Sequence, residues 1–192
     1  MPKLARRLNQ NITPLGWLRI RRLYAAAFPR NERKPFSRIL SMMRSGKSDI
    51  WYFEKDGRFA GFATTIRDED LILIDYLAVV KNQRARGVGS AMLAALKEQS
   101  EKALFVEIES MYEAGEDQPE RIRRKQFYLR NGFEPMNVMA DVFGVKMELL
   151  AWKGELDFER YHAFYRDNYS QWAADHIRLA EHPEKNRSLT EK

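Results

Sequence analysis

The sequence predicts a mixed α/β (α+β) fold, a central mixed sheet with helices packed against it. Three observations carry this. Two amphipathic stretches come first, three strand-like runs separated by charged turns follow as an antiparallel meander, and strand and helix patterns then alternate to a closing strand pair. A chain of 192 residues with 44% hydrophobic and 12% aromatic content is a one-domain length with ample core.

Taken in order, Thr13-Pro14 is an N-cap followed by a first helical residue, and Ile20, Leu23, Tyr24, Ala27 and Phe28 continue an apolar stripe. Pro35 to Arg44 repeats the pattern with Phe36, Ile39, Leu40 and Met43, and Gly46 stops it. Two helices are therefore expected before any strand. The meander is Ile50 to Glu54, a Lys55-Asp56-Gly57-Arg58 turn, Phe59 to Ile66, a charged Arg67 to Asp70 turn, and Leu71 to Val80. Gly89 to Gln99 reads as a crossover helix with Met92, Leu93 and Leu96 inward, leading to a strand at Ala103 to Glu109. Asp117-Gln118-Pro119-Glu120 gives a capping-box start, and Asn131-Gly132 a left-handed stop, to the next helix. Two strands are expected within Asn137 to Phe143 and Val145 to Trp152. Phe158, Tyr161, Tyr165, Tyr169 and Trp172 then recur at helical spacing, which predicts one C-terminal helix packed on the domain, and Glu181 to Lys192 reads as a frayed polar tail.

Composition narrows the chemistry. With no cysteine there is no thiol nucleophile, disulfide or thiolate site, and His162, His176 and His182 lack zinc-binding spacing, so no metal is expected. No apolar run approaches the ~20 residues of a membrane span, and the basic Met1 to Arg7 segment is followed by polar residues rather than a signal-peptide core. No membrane partner is expected, and the cytoplasm is the default compartment. A net charge of +6 suits a polyanionic partner such as a phosphorylated cofactor, but the basic residues are dispersed and no nucleic-acid reader motif accompanies them. Oligomeric state is not legible.

The junction between the third strand and its helix is the most informative segment. Gln83-Arg84-Ala85-Arg86-Gly87-Val88-Gly89-Ser90-Ala91-Met92 combines a helix start, whose backbone N–H groups carry partial positive charge, with glycines that leave the backbone open and two arginines that add charge. This is the chemistry of a pyrophosphate cradle. The dinucleotide fingerprint is excluded because Met92 stands where its third glycine belongs, and the P-loop because no Gly-Lys-Ser/Thr follows. A tight turn with glycines chosen for their dihedrals is the bland alternative. The spacing of Arg84, Gly87 and Gly89 resembles the Arg/Gln-x-x-Gly-x-Gly/Ala motif of the GNAT superfamily of acetyl-CoA-dependent N-acetyltransferases.

A second stretch strengthens the resemblance. Phe127-Tyr128-Leu129-Arg130-Asn131-Gly132-Phe133 is similar to the Phe-Tyr-x-x-x-Gly-Phe signature of the same superfamily, in the same order along the chain. Arg124 and Lys125 stand where the family commonly has a small residue. Phe28-Pro29-Arg30-Asn31-Glu32-Arg33 also looks like a Phe-Pro-x-x-Glu-Arg stretch of some bacterial members. The resemblance implies a single GNAT domain over residues 1–152, with crossover helices on both sheet faces and residues 153–192 adding the C-terminal helix and tail. It also implies that backbone groups of Leu77, Ala78 and Val79 pair with the pantetheine arm of acetyl-CoA, while Arg84, Ala85, Arg86, Gly87, Val88, Gly89 and Ser90 hold its pyrophosphate. Tyr128 would protonate the departing thiolate, a reasonable transfer between a phenol of pKa ~10 and a thiol of pKa ~8.5.

Three carboxylates interrupt otherwise apolar strands. Asp75 lies in Leu71 to Val80, and Glu107 and Glu109 share one face of the strand from Ala103 by the period of two. In parallel neighbouring strands they would meet in one acidic cavity able to attract a cationic amine and take its proton, with Glu109 and Asp75 favoured as nearer strand ends. Salt bridges to the many arginines are the alternative. The reading that results is an acetyl-CoA-dependent N-acetyltransferase acting on a small-molecule or peptide amine by direct attack in a ternary complex. Its rival is a non-catalytic CoA-binding or regulatory module with a protein or nucleic-acid partner.

Overall fold

Thr13 opens the first helix as expected: its Oγ1 accepts from Gly16 N at 3.2 Å, and Pro14 takes the first helical position, where a missing N–H costs nothing. The computed structural model describes residues 4–30 and 32–182; Asn31 of the Phe-Pro stretch and most of the expected tail, residues 183–192, lie outside them. The architecture is mixed α/β. Internal contacts divide the chain into two units, Met1–Glu101 and Lys102–Lys192.

In the N-terminal unit four strands run antiparallel in the order β1 (Leu4–Leu8), β2 (Ser48–Lys55), β3 (Arg58–Arg67) and β4 (Leu71–Val79). Helices α1 (Pro14–Ala27) and α2 (Phe36–Arg44) lie between β1 and β2, and α3 (Val88–Glu98) follows β4. The meander is therefore as read, but β1 precedes both helices, contrary to expectation. Four of the five residues from Leu4 to Leu8 are arginine or leucine, with no apolar run, and only the ladder with Trp51 to Lys55 makes the segment a strand. The stripe of α1 does what its spacing dictates: Ile20 and Tyr24 are buried against Ile50, Tyr52, Phe62 and Tyr76. Gly46, at φ 76°, ends α2 with its own N–H on Met43 O and that of Lys47 on Met42 O, each at 3.1 Å.

The C-terminal unit orders its strands β5 (Ala103–Glu109), β7 (Val145–Trp152), β6 (Glu134–Val142) and β8 (Ile177–Ala180), again antiparallel. Helix α4 (Gln118–Arg130) joins β5 to β6. Its stop is as expected, with Gly132 at φ 72° and Phe133 N returning to Tyr128 O at 3.1 Å. Its start is not, because the Asp117 side chain makes no cap hydrogen bond and instead takes Arg121 Nη2 at 2.9 Å. An ion pair one turn along has displaced the cap.

The aromatic segment corrects the single C-terminal helix. Helix α5 (Phe158–Asn168) ends at Tyr169, Ser170 caps a short α6 (Gln171–Asp175), and the chain then adds β8 to β6. Tyr161, Phe164 and Tyr165 are buried, and Phe164 meets Phe105 edge-on at 5.0 Å. Trp172 lies on α6 with 64% of its surface exposed, so the inward stripe stops at Tyr169.

Candidate active site

The junction after β4 has the features of an anion cradle. A 3-10 turn at Lys81–Gln83 leads to Ala85 at φ 58° and Gly87 at φ 73°, and α3 starts with Gly87 as its N-cap and no side chain capping it. Among the described residues the N–H groups of Ala85, Arg86, Gly87, Val88, Gly89 and Ser90 donate to nothing; the first junction bond runs from Ala91 N to Gly87 O at 3.0 Å. A Cβ built on Gly87 would meet no atom within 4 Å. Arg86 is exposed, and Arg84 donates its Nε to Val79 O at 3.2 Å, which ties the guanidinium to the strand end. Uncapped donors beside open space and two arginines fit the pyrophosphate of a coenzyme A thioester.

Upstream, close backbone approach shapes β4. A Cβ on Gly61 would stand 2.3 Å from Ala78 O, so only glycine lets β3 lie against the Leu77–Val79 segment. The ladder pairs Thr64 with Tyr76 and Thr65 with Ile74, leaving Asp75 as the extra residue of a bulge in mid-strand rather than near a strand end. Thr64 Oγ1 is buried there and makes no hydrogen bond among the described residues. Asp75 is held by Lys34, Nζ to Oδ1 at 2.7 Å. Tyr76 next to it donates its hydroxyl to Glu32 O at 3.0 Å and accepts from Lys34 N at 3.1 Å, while Tyr24 donates to Lys34 O at 2.9 Å. The segment after Phe28-Pro29 is thereby laced to β4. Burial, reinforced by the Asp75 charge, pushes the Tyr76 phenol well above its ordinary range, so it stays a donor.

In the C-terminal unit Glu107 and Glu109 share a face of β5 as read. Glu109 Oε2 takes Arg121 Nε at 2.9 Å, and the same guanidinium reaches Asp117 and donates to the carbonyls of Ser110 and Glu113. Glu107 Oε2 accepts from the Tyr165 hydroxyl at 2.9 Å. For Glu109 this is the salt bridge to an arginine that the sequence offered as the alternative, but spacing could not single out Arg121 or Tyr165, which come from distant segments.

Tyr128 sits in the last turn of α4 at 8% exposure, its ring edge-on to Phe127 at 5.2 Å and to Phe133 at 5.4 Å. Its hydroxyl makes no hydrogen bond among the described residues. Burial pushes its pKa up to about 12, against a smaller lowering by Arg124, so the ordinary phenol value assumed from sequence is too low. One turn back, Lys125 is buried rather than solvated: its Nζ meets Glu148 Oε2 at 2.5 Å and lies 5.3 Å from the Tyr112 ring centroid. Glu148 Oε1 accepts from Met111 N at 3.1 Å. The departure from the family pattern at Lys125 therefore carries a buried pair that ties α4 to β7 and to the chain after β5.

Residues 46–135 match the model of the acetyltransferase (GNAT) domain. That segment, 90 of the 192 residues, is similar to a GNAT acetyltransferase domain. The chain is 29% identical to YjbC of Bacillus subtilis (strain 168) over 144 residues, 69% of each chain. A GNAT-family structure from Bacteroides thetaiotaomicron superposes with a TM-score of 0.70 at 19% identity, over 90% of this chain and 98% of that one. A GNAT family acetyltransferase from Elizabethkingia anophelis, solved with acetyl-CoA bound, gives 0.58 at 15% identity, over 79% and 98%. These structural likenesses are of fold. The turn from Arg84 to Ser90 and the Phe127–Phe133 motif both fall inside the matched segment. Helix α5 falls outside it, and among the described residues no helix is long and apolar enough to cross a membrane.

Proposed function

We propose that this protein is an N-acetyltransferase that moves an acetyl group from acetyl-CoA to a primary amine by direct attack in a ternary complex. The observation that carries the reading is the run of undonated N–H groups from Ala85 to Ser90 at the uncapped start of α3. Acetyl-CoA would supply the acetyl group as a thioester that a free amine can attack without a covalent enzyme intermediate. The acetyl-CoA bound to the Elizabethkingia relative supports this choice of donor.

Each residue then has a role its surroundings allow. Arg84 to Ser90 bind the pyrophosphate through backbone donors and guanidinium charge. Leu77 to Val79 offer strand backbone to the pantetheine arm. Tyr128 holds its proton at any working pH and directs it to the thiolate. From a pKa of about 12 to a thiol near 8.5 that transfer is uphill by about 5 kcal/mol, so the hydroxyl acts first as a hydrogen-bond donor and completes transfer only as the C–S bond breaks. Asp75 and Glu109 remain the candidates for taking the amine proton, each once its Lys34 or Arg121 partner yields.

That ion pairing is what favours the second reading, a non-catalytic CoA-binding module, since it engages both carboxylates. Incubation with acetyl-CoA and a panel of amines, read as free thiol, separates the two. Amine-dependent thiol release supports transfer; tight acetyl-CoA binding with no release on any amine supports the module.

A further inference from the structure

The segment after α1 delivers an amine of this chain to the bulge in β4. Lys34 is fixed by both of its backbone polar groups: its N–H donates to the Tyr76 hydroxyl at 3.1 Å, and its carbonyl accepts from the Tyr24 hydroxyl at 2.9 Å. Tyr24 and Tyr76 meet edge-on at 4.9 Å, so both anchors belong to the packed core. From this footing the side chain runs past the Tyr76 ring, Nζ 5.7 Å from its centroid, to Asp75 Oδ1 at 2.7 Å. The Asp75 side chain is 10% exposed and that of Lys34 26%, so the carboxylate is enclosed while the lysine that it holds is open to a reagent from solvent. Along β4 the Leu77–Val79 backbone, the pantetheine strand of the proposed function, begins two residues beyond Asp75, about 7 Å further at the rise of a strand.

We propose that Lys34 is an internal acetyl acceptor, a site at which the protein acetylates itself. This rests on the acetyltransferase reading and adds a modification site to it. An alkylammonium attacks no carbonyl carbon until it has lost a proton, and Asp75 stands at hydrogen-bond distance from the nitrogen that must lose it. Amine and base held together before the reaction avoid the entropy cost of bringing an acceptor from solution. In the step, a bond forms between Nζ and the thioester carbon, and the C–S bond breaks. Of the two protons that the nitrogen gives up, one ends on the departing thiolate and the other passes through Asp75 to solvent. The product amide carries no charge, so the ion pair that ties the segment after α1 to β4 is lost. Self-acetylation therefore happens once per chain and changes the site that performed it.

The test is incubation of the full chain with acetyl-CoA at neutral pH without added amine, read by intact mass and by peptide mapping. The parent is expected to gain an acetyl group on Lys34, at a rate per molecule that does not change with protein concentration and is at least ~10-fold above that of exposed Lys47 and Lys153. Lys34→Arg, which keeps a cation for Asp75 but no amine to acylate, should gain none at that rate, and Asp75→Asn should be slower at least ~10-fold. Acetyl already on Lys34 of the parent as purified, and missing from Asp75→Asn prepared alike, counts the same way. Even labelling of the exposed lysines, or equal rates on Lys34 in the parent and in Asp75→Asn, would mean chemical acetylation by the thioester and overturn the inference. So would a rate per molecule that rises with protein concentration, since one molecule would then be acting on another. If Asp75→Asn does not fold, the selectivity for Lys34 and the concentration series decide. A parent that keeps Lys34 unmodified yet releases thiol with an added amine overturns self-acetylation alone; no acetyl on the protein and no thiol release with any amine sinks the acetyltransferase reading with it.

Discussion

Lys34 Nζ stands 2.7 Å from Asp75 Oδ1, so the one charge in the middle of β4 is neutralised by the segment that follows α1. The bulge at Asp75 turns this side chain out of the ladder, and Tyr76 beside it pins the same segment through Glu32 O and Lys34 N. Asp75→Asn keeps the shape and removes the carboxylate charge that Lys34 Nζ meets at 2.7 Å. The expected cost is about 1–3 kcal/mol, seen as a lower urea midpoint with unchanged slope. If Asp75 also takes the amine proton, turnover falls most at neutral pH and recovers as pH rises and free amine appears. Unchanged stability and an unchanged pH–rate profile would make the pair a bystander.

Gly89 is the second residue of α3, where a carboxylate is favourable to the helix dipole and hostile to a phosphate. Gly89→Glu should therefore hold or raise the stability of the free protein, by about 0.3–1 kcal/mol, while weakening acetyl-CoA at least ~10-fold. Thermal unfolding and calorimetry read the two effects separately. Undiminished acetyl-CoA affinity would mean that the turn holds no pyrophosphate.

Lys125 and Glu148 are both buried, and each is the charge that makes the other tolerable. Lys125→Met alone should lose about 3–5 kcal/mol, because among the described residues Glu148 then keeps only Met111 N. Adding Glu148→Leu should recover most of that loss, and a double-mutant cycle in urea measures the coupling. Additive losses would show that the pair does not act as a unit.

The mainly local features were legible. Thr13-Pro14, Gly46 and Asn131-Gly132 fixed helix ends because caps and left-handed stops are set by adjacent residues, and period-two alternation placed Glu107 and Glu109 on one face. What escaped reading depends on distant segments. Strand β1 exists by its ladder to β2, α6 and β8 replace a longer helix because Ser170 caps a new one, and the bulge at Asp75 is a register offset that no single strand announces. The same holds for the candidate site: the Arg84–Ser90 turn and Tyr128 come from contiguous motifs, whereas Lys34, Arg121, Tyr165 and Glu148 reach their partners only through the fold. Asp117 shows a local rule losing, since Arg121 claims the carboxylate that would have capped α4.

Alkaline titration checks the surroundings of Tyr128. Its folded pKa of about 12 lies above the ordinary 10.0, so the unfolded chain loses the proton first. The contribution is complete below pH 10 and disappears as pH rises to 12, amounting to about 2–3 kcal/mol. Tyr24, Tyr76 and Tyr161, also raised mainly by burial, add slope of the same sign. Urea midpoints between pH 8 and 12 should fall less steeply for Tyr128→Phe than for the parent; parallel curves would mean that the hydroxyl is solvated.

The most direct measurement is amine-dependent thiol release by the parent and by Tyr128→Phe, with acetyl-CoA affinity measured on both. The substitution keeps the ring between Phe127 and Phe133 and removes only the hydroxyl. The account predicts that the parent releases thiol with at least one amine, that Tyr128→Phe binds acetyl-CoA as the parent does, and that its turnover falls ~10²–10⁴-fold. Full turnover by Tyr128→Phe would reduce Tyr128 to a packing residue, and no amine-dependent release by the parent would contradict acetyl transfer itself.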